Sequence, residues 1–400
     1  MTEGGVSVGL NPRHRNVTRS PGDGGQVLVL VAAALTFMLG VVGIVIDGGY
    51  AFAQQRGSQN GADAAATAGA LVLAQNLPFR ALGQTLPKAD SDVAAEVSKI
   101  AGDNGLASID AYYTDQAGNL LRPDGSLATG TSDAAQVGIT TIPPGTWGVN
   151  AVATKAFNTF FARVLGLTTI TATTTATSVS GYVENAGAGN VLPVTIPLNM
   201  ITCDNNGDFL TIQPPTWWPE NGDQEVILPL CKGSASGNVG WLDWSPPGGG
   251  TQELEQAILH PSNPAIPVPS WQYVTQTGNI NSSQIEDALN TYAGRVVLIP
   301  FFDNACETAN TAANSECPVG SGPGTGQNNW YHMPLFFGFE MRASKAAFIT
   351  GSNPECGLNW NGAGCLIGKI GSYVGPNVTV GVGTGTELDA YSALGVQLIR

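Results

Sequence analysis

The chain reads as an α+β protein. It has an N-terminal transmembrane helix that continues past the membrane, a small α/β domain, and a β-rich domain stapled by disulfides. Three observations lead there. Val27 to Ile46 is apolar and carries no charged residue. An Ala-rich stretch of high helix propensity follows it directly. Beyond about residue 190, short β-branched and aromatic runs alternate with Gly/Pro/Asn turns, and all six cysteines lie there.

Val27–Ile46 comes first because it decides where everything else resides. At about 1.5 Å per residue, roughly 20 residues match a bilayer core of about 30 Å. A lone segment crosses lipid only as a helix, which pairs its backbone polar groups internally. Arg13, Arg15 and Arg19 precede it, whereas Asp47 follows it and the next basic residue is Arg56. The positive-inside rule then keeps residues 1–23, read as a disordered tail, in the cytoplasm. The bulk of the chain lies on the extracytoplasmic side of a single-pass cell-membrane protein. Ala51-Phe52-Ala53 resembles a signal cleavage site, but a signal's apolar core runs only about 7–15 residues. Thr36 and Gly40 form a small-xxx-small pair that either contacts another helix or is simply tolerated facing lipid.

Residues 24–76 form the membrane helix and its Ala-rich extension, weakened at Gly57, Gly61 and Gly69 and stopped at Leu77-Pro78. Ala62, Ala64, Ala65 and Ala66 around Asp63 offer a smooth surface for close packing of another backbone. Residues 77–183 form the small domain, in the order helix, strand, strand, helix, strand. Its first helix is capped by Ser91, with Val93, Val97 and Ile100 on one face. Strands follow at Ser108–Thr114 and Thr146–Thr154. Phe157–Gly166 reads as a short amphipathic helix with Phe160, Phe161 and Leu165 as core, and Ile170–Tyr182 as a Thr-rich strand. Gly/Ala-rich residues 184–190 read as a linker to the β-rich domain, 191–400. Its strands fall at Val191–Pro197, Glu225–Leu230, Asn238–Trp244, Trp271–Thr275, Arg295–Phe302, Tyr331–Met341, Val378–Val382 and Val396–Arg400. Its helices fall at Gln252–Leu259 and at Ser283–Tyr292, the latter capped by Ser283.

Charged residues are only 12% of the chain and the net charge is −14, which excludes nucleic acid as a partner because phosphate binding needs clustered Lys and Arg. An oxidising compartment makes disulfides the expectation for Cys203, Cys231, Cys306, Cys317, Cys356 and Cys365. Six cysteines permit 15 pairings. The sequential set, Cys203–Cys231, Cys306–Cys317 and Cys356–Cys365, is the working hypothesis, to be decided by non-reducing peptide mapping. No CxxC pattern or HExxH motif suggests a metal, and no Gly-x-Ser-x-Gly elbow, P-loop or Rossmann fingerprint suggests an enzyme. No catalytic residue, cofactor or metal is expected. His332, in an apolar strand, reads as structural. Asp204-Asn205-Asn206-Gly207-Asp208 resembles half of a calcium loop, but Phe209 and Pro215 stand where an EF-hand needs Gly and Glu. The Trp217-Trp218 pair, flanked by prolines, reads as an exposed loop that either packs over a domain edge or stacks on sugars or anchors a protein.

Gly25-Gln26 opens the apolar run, Asp47-Gly48 and Tyr50 lie at its exit, and Gln59, Ala62-Asp63-Ala64-Ala65-Ala66 and Ala68-Gly69-Ala70 follow. This segment resembles the N-terminus of TadE/TadG-like assembly proteins of Flp (tight-adherence) pili. Thr-Phe-Phe-Ala-Arg-Val-Leu-Gly between two strands extends the resemblance to about residue 180, and Gly237–Asp243 and Val296–Pro300 resemble ectodomain segments of such proteins. The resemblance implies a pilin-like helix, lipid and Tad pilus-assembly proteins or pilins as partners, and a non-catalytic anchoring or scaffolding role at the cell envelope. In it, Asp47, Gly48, Tyr50, Gln59, Ala62, Asp63 and Gly69 serve membrane exit and helix packing. Leu30 stands where peptidase-processed pilins carry Glu, which favours a membrane-retained TadG-like protein. The alternative is a surface adhesin binding glycans or protein through Trp217 and Trp218.

Overall fold

A computed structural model describes residues 23–400 except 107, 190, 199, 204–208, 212–224, 231–239, 243–249, 276–281, 311–313, 323–328, 351–353, 357–363, 371–377, 387–388, 391 and 400. The chain divides into two compact units. One comprises residues up to Gln55 with Ala156–Ala172, and the other Arg56–Lys155 with Thr173–Arg400.

Helix α1, Asp23–Ala74, is unbroken through all its glycines. After it come α2 (Leu77–Ala81) and α3 (Asp90–Asp103). The strands that follow are β1 (Ile109–Thr114), β2 (Gly148–Asn158) and β3 (Thr169–Ala186), with a 3-10 turn at Ala162–Leu165 between the last two. Then come β4 (Val194–Pro197), β5 (Met200–Cys203), β6 (Phe209–Thr211), β7 (Val226–Leu230) and β8 (Gly240–Leu242). Helix α4 (Thr251–Leu259), β9 (Ile266–Pro267), β10 (Ser270–Thr275) and α5 (Ser283–Asn290) lead to β11 (Val296–Phe302) and β12 (Asn304–Cys306). The last strands are β13 (Asn329–Met333), β14 (Leu335–Met341), β15 (Phe348–Thr350), β16 (Gly364–Ile370), β17 (Val378–Gly381) and β18 (Leu394–Ile399).

Two sheets carry the larger unit. In the first, β1, β2, β3 and β17 lie in that order, and β9 and β18 also pair with the long β3. β1 and β2 run antiparallel from Ile109 opposite Ala153 to Thr114 opposite Gly148. This register puts Ala111, Tyr113, Val149 and Ala151 into a core shared with Val93 and Val97 of α3. The second sheet follows the order β12-β13-β10-β8-β4-β11-β14-β16-β15, with β7 also on β16. Its core, with Ile196, Ile299, Phe301, Phe337 and Phe348, is covered by Ile258 of α4 and Ile285 and Leu289 of α5.

Several expectations are corrected. Helix α3 starts at Asp90, so Ser91 is inside it; the Ala89 N–H donates to Asp92 Oδ2 at 2.7 Å instead. The N-cap of α5 is Ser282 rather than Ser283. The run Tyr331–Met341 is two strands because Pro334 interrupts it, and a proline cannot donate to a ladder. The first part of the stretch 184–190, expected as a linker, is strand. Glu184–Ala186 complete β3 and pair with β17 and β9, and Ala186 is fully buried. Next to it the buried Asn263 donates from Nδ2 to the Gly187 carbonyl (3.2 Å) and accepts at Oδ1 from the Val191 N–H (3.2 Å). Gly189, at φ 79°, then turns the chain.

Cys306–Cys317 and Cys356–Cys365 are disulfides, spanning 11 and 9 residues. The Cys203 side chain and Cys231 lie outside the described residues. Closing loops of about ten residues restricts the unfolded chain by about 2–3 kcal/mol each. Replacing Cys356 and Cys365 together with Ala should therefore lower stability by about that amount in a denaturant melt of the detergent-solubilised chain. An unchanged midpoint would mean that β15 and β16 hold this loop without the link.

Candidate membrane-anchoring site

The smaller unit is built around Asp47. It follows Ile46 directly, so it ends the charge-free run. Its side chain is only 5% exposed. Oδ1 accepts from the Phe160 N–H (2.8 Å), and Oδ2 from the N–H groups of Phe161 (2.9 Å) and Ala162 (2.5 Å). These donors belong to the start of the 3-10 turn, where backbone N–H groups lack partners within the turn and favour a negative charge. Gly166, at φ 87°, closes the turn in the left-handed conformation that glycine adopts without strain. Gly43, one turn before Asp47, makes room: a Cβ there would come within 2.7 Å of Phe161 Cβ. Tyr50, one turn after, sets its ring edge-on to Phe157 (5.5 Å) and Phe160 (5.2 Å). Gly48 faces open space.

This arrangement overturns the amphipathic helix expected at Phe157–Gly166. β2 continues to Asn158, and after Thr159 the N–H groups of Phe160, Phe161 and Ala162 go to Asp47 rather than into a helical ladder. Phe160 and Phe161, expected as core, are 61% and 46% exposed. The Leu165 side chain lies outside the described residues.

In the larger unit the Ala-rich half of α1 is a packing element. Ala62, Ala65, Ala66 and Ala70 are fully buried. The first three share the core of Val97, Tyr113, Val149 and Ala151. Gly61 and Gly69 explain themselves by contact. A Cβ on Gly69 would meet Val97 at 2.8 Å and Val149 at 2.9 Å, and one on Gly61 would meet Leu106 at 2.8 Å. The surface expected to receive another protein's helix is thus occupied by the chain's own strands and α3. Polar side chains on the same helix are tied down. Gln59 Nε2 donates to Asp63 Oδ1 (2.8 Å) and to the Thr175 carbonyl (3.1 Å), and the buried Ser58 hydroxyl pairs with that of Thr174 (3.0 Å). Beneath, Tyr113 donates its hydroxyl to Asp90 at 2.6 Å, and burial with this bond raises its pKa above the ordinary tyrosine value.

His332 sits in β13, buried, with Nδ1 2.6 Å from Asp303 Oδ1 and its ring 5.3 Å from that of Trp271. Among the described residues no cluster of His, Cys, Asp and Glu could hold a metal ion. Trp217, Trp218 and the Asp204–Asp208 loop lie outside the described residues.

α1 is the one described helix long and apolar enough to cross a membrane, and almost none of its most apolar window is covered by protein. Residues 25–74 match the Tad family model, described as "Putative Flp pilus-assembly TadE/G-like". The match takes in nearly all of α1, from the start of the apolar run to the buried Ala face. The similarity read further along the chain lies outside it. No curated protein and no solved structure matches the chain significantly.

The glycines of this TadE/G-like segment give a paired test. Gly57 faces open space, so Gly57→Ala should stabilise by up to about 1 kcal/mol through helix propensity. Gly69→Ala should instead destabilise by about 1–3 kcal/mol, because the new methyl overpacks against Val97 and Val149. Both are read by thermal melting in detergent, and equal shifts would contradict the packing described.

Proposed function

We propose that this protein is a membrane-anchored, non-catalytic component of Flp (Tad-type) pilus assembly, acting as an anchor or scaffold at the cell envelope. The observation that carries the reading is the family match over α1, in which one helix holds both an uncovered apolar half and a small-residue half buried by the folded body. The first half spans the bilayer with the N-terminus in the cytoplasm, as the arginines before it and the lack of any basic residue between Ile46 and Arg56 favour. The body then lies in an oxidising compartment, in keeping with its two disulfides. Because the Ala face is used internally, contacts with other assembly components fall to the lipid-exposed half, where Gly40 leaves open space for a close helix approach. His332, held by Asp303 inside a sheet, fits a structural role better than proton transfer.

Exchanging Val27–Ile46 for a cleavable secretion signal separates anchoring from folding. The released body should keep its disulfides, while surface fibres disappear from the host. Fibres in normal number, from cells that secrete a folded body, would contradict the proposal.

A further inference from the structure

The turn clasped by Asp47 is unusual for a surface loop in its side chains and in its backbone. Phe160, Phe161, Val164 and Leu167 are exposed, Val164 by 85% and Leu167 by 59%. Arg163 is the one charged residue between Thr159 and Thr168. Loops in water normally leave backbone donors to the solvent. Here seven of them, at 159–162, 164, 166 and 167, are paired inside the unit. Phe160, Phe161 and Ala162 donate to Asp47. Thr159 donates its N–H to the Thr168 carbonyl (3.1 Å) and its hydroxyl to that of Leu167. Val164 donates to Phe161 (3.0 Å), Gly166 to Arg163 (3.0 Å) and Leu167 to Ala162 (3.1 Å). Internal pairing of backbone donors beneath apolar side chains is what a low-dielectric medium requires.

We infer that residues 159–167 form a membrane-interface wedge, inserted into the leaflet that α1 leaves at Asp47. The inference rests on the reading of α1 as a membrane span. Lipid, rather than a protein partner, is the occupant because the turn is fastened at Asp47, directly after the apolar run. Phe161 lies on Gly43, inside that run, so the exposed rings continue the uncovered surface of Leu39, Val42 and Ile46. Phe and Leu side chains on one face bury at the headgroup–acyl boundary of interfacial segments, and Arg163 reaches headgroups along its aliphatic stem. Asp47 has a defined part in this. A bare carboxylate at that depth would draw in water, whereas three N–H donors replace its hydration. The wedge gives the helix a second point of attachment, fixing its depth and its rotation about its own axis.

The test uses the full chain in phosphatidylcholine vesicles brominated on the acyl chains. An environment-sensitive nitrobenzoxadiazole fluorophore is attached through an unnatural amino acid at position 164, 37 or 139, one at a time. Val164 and Ile139 are both exposed, so labelling disturbs no core. The label at 164 should lose about half its fluorescence to lipid bromine, since interfacial residues sit about 5–10 Å into the headgroup–acyl boundary. The label at 37 should be quenched as well, and the label at 139 should not. Quenching at 37 without quenching at 164 overturns the wedge and leaves the span intact. Absence of quenching at 37 overturns the span itself, and the wedge with it.

Discussion

Twenty consecutive residues without a charge, Val27 to Ile46, form an apolar half-helix that the other described residues leave almost entirely uncovered. That constraint governs the rest of the chain. Asp47 marks where it ends. A carboxylate placed there must be either hydrated or supplied with donors, and the turn at 160–162 supplies three N–H groups. Each side of the contact satisfies the other: the turn gains an acceptor for its unpaired donors, and the anion gains a substitute for water.

The helix carries two kinds of surface, and its glycines distinguish them. Gly40, Gly48, Gly49 and Gly57 face open space, whereas Gly43, Gly61 and Gly69 lie where a methyl group would strike a side chain. Each interior glycine costs a helix about 1 kcal/mol relative to alanine. At Gly61 and Gly69 that cost is offset by the approach of Leu106, Val97 and Val149, whose burial is worth about 1.5–3 kcal/mol per side chain. Small residues here are therefore instructions for the chain's own fold. An Ala-rich helix looks like an invitation to a partner only while the strands that cover it are out of view.

Much of this was legible in the sequence. The extent of α1, its stop before Pro78, the strands β1, β7, β10, β11 and β17, and the helices α4 and α5 follow from periodicity and from Gly/Pro punctuation. Two disulfides match the sequential pairing. The differences share a cause, which is that composition does not specify what a residue packs against. Gly364–Ile370 (GCLIGKI) has too many glycines to announce a strand, yet in β16 Gly364 and Gly368 allow close approach to Phe348 and Phe339. After Glu184, Asn185 and Ala186 still belong to β3 and pair with β9 and β17. Phe160 and Phe161 read as core because apolar rings are expected to avoid water, yet the Asp47 contact holds them at the surface. The Asp47 contact joins residues more than a hundred apart, and only an acidic residue at the end of an apolar run pointed to it.

Alkaline carbonate extraction of membranes from cells making the intact chain tests the central claim most directly, because it strips peripheral proteins and leaves spanning ones. The account predicts that the full-length chain, tail included, stays in the membrane pellet. Recovery of the full-length chain in the supernatant, or of a shortened chain beginning near Ala53 free of membranes, would contradict it.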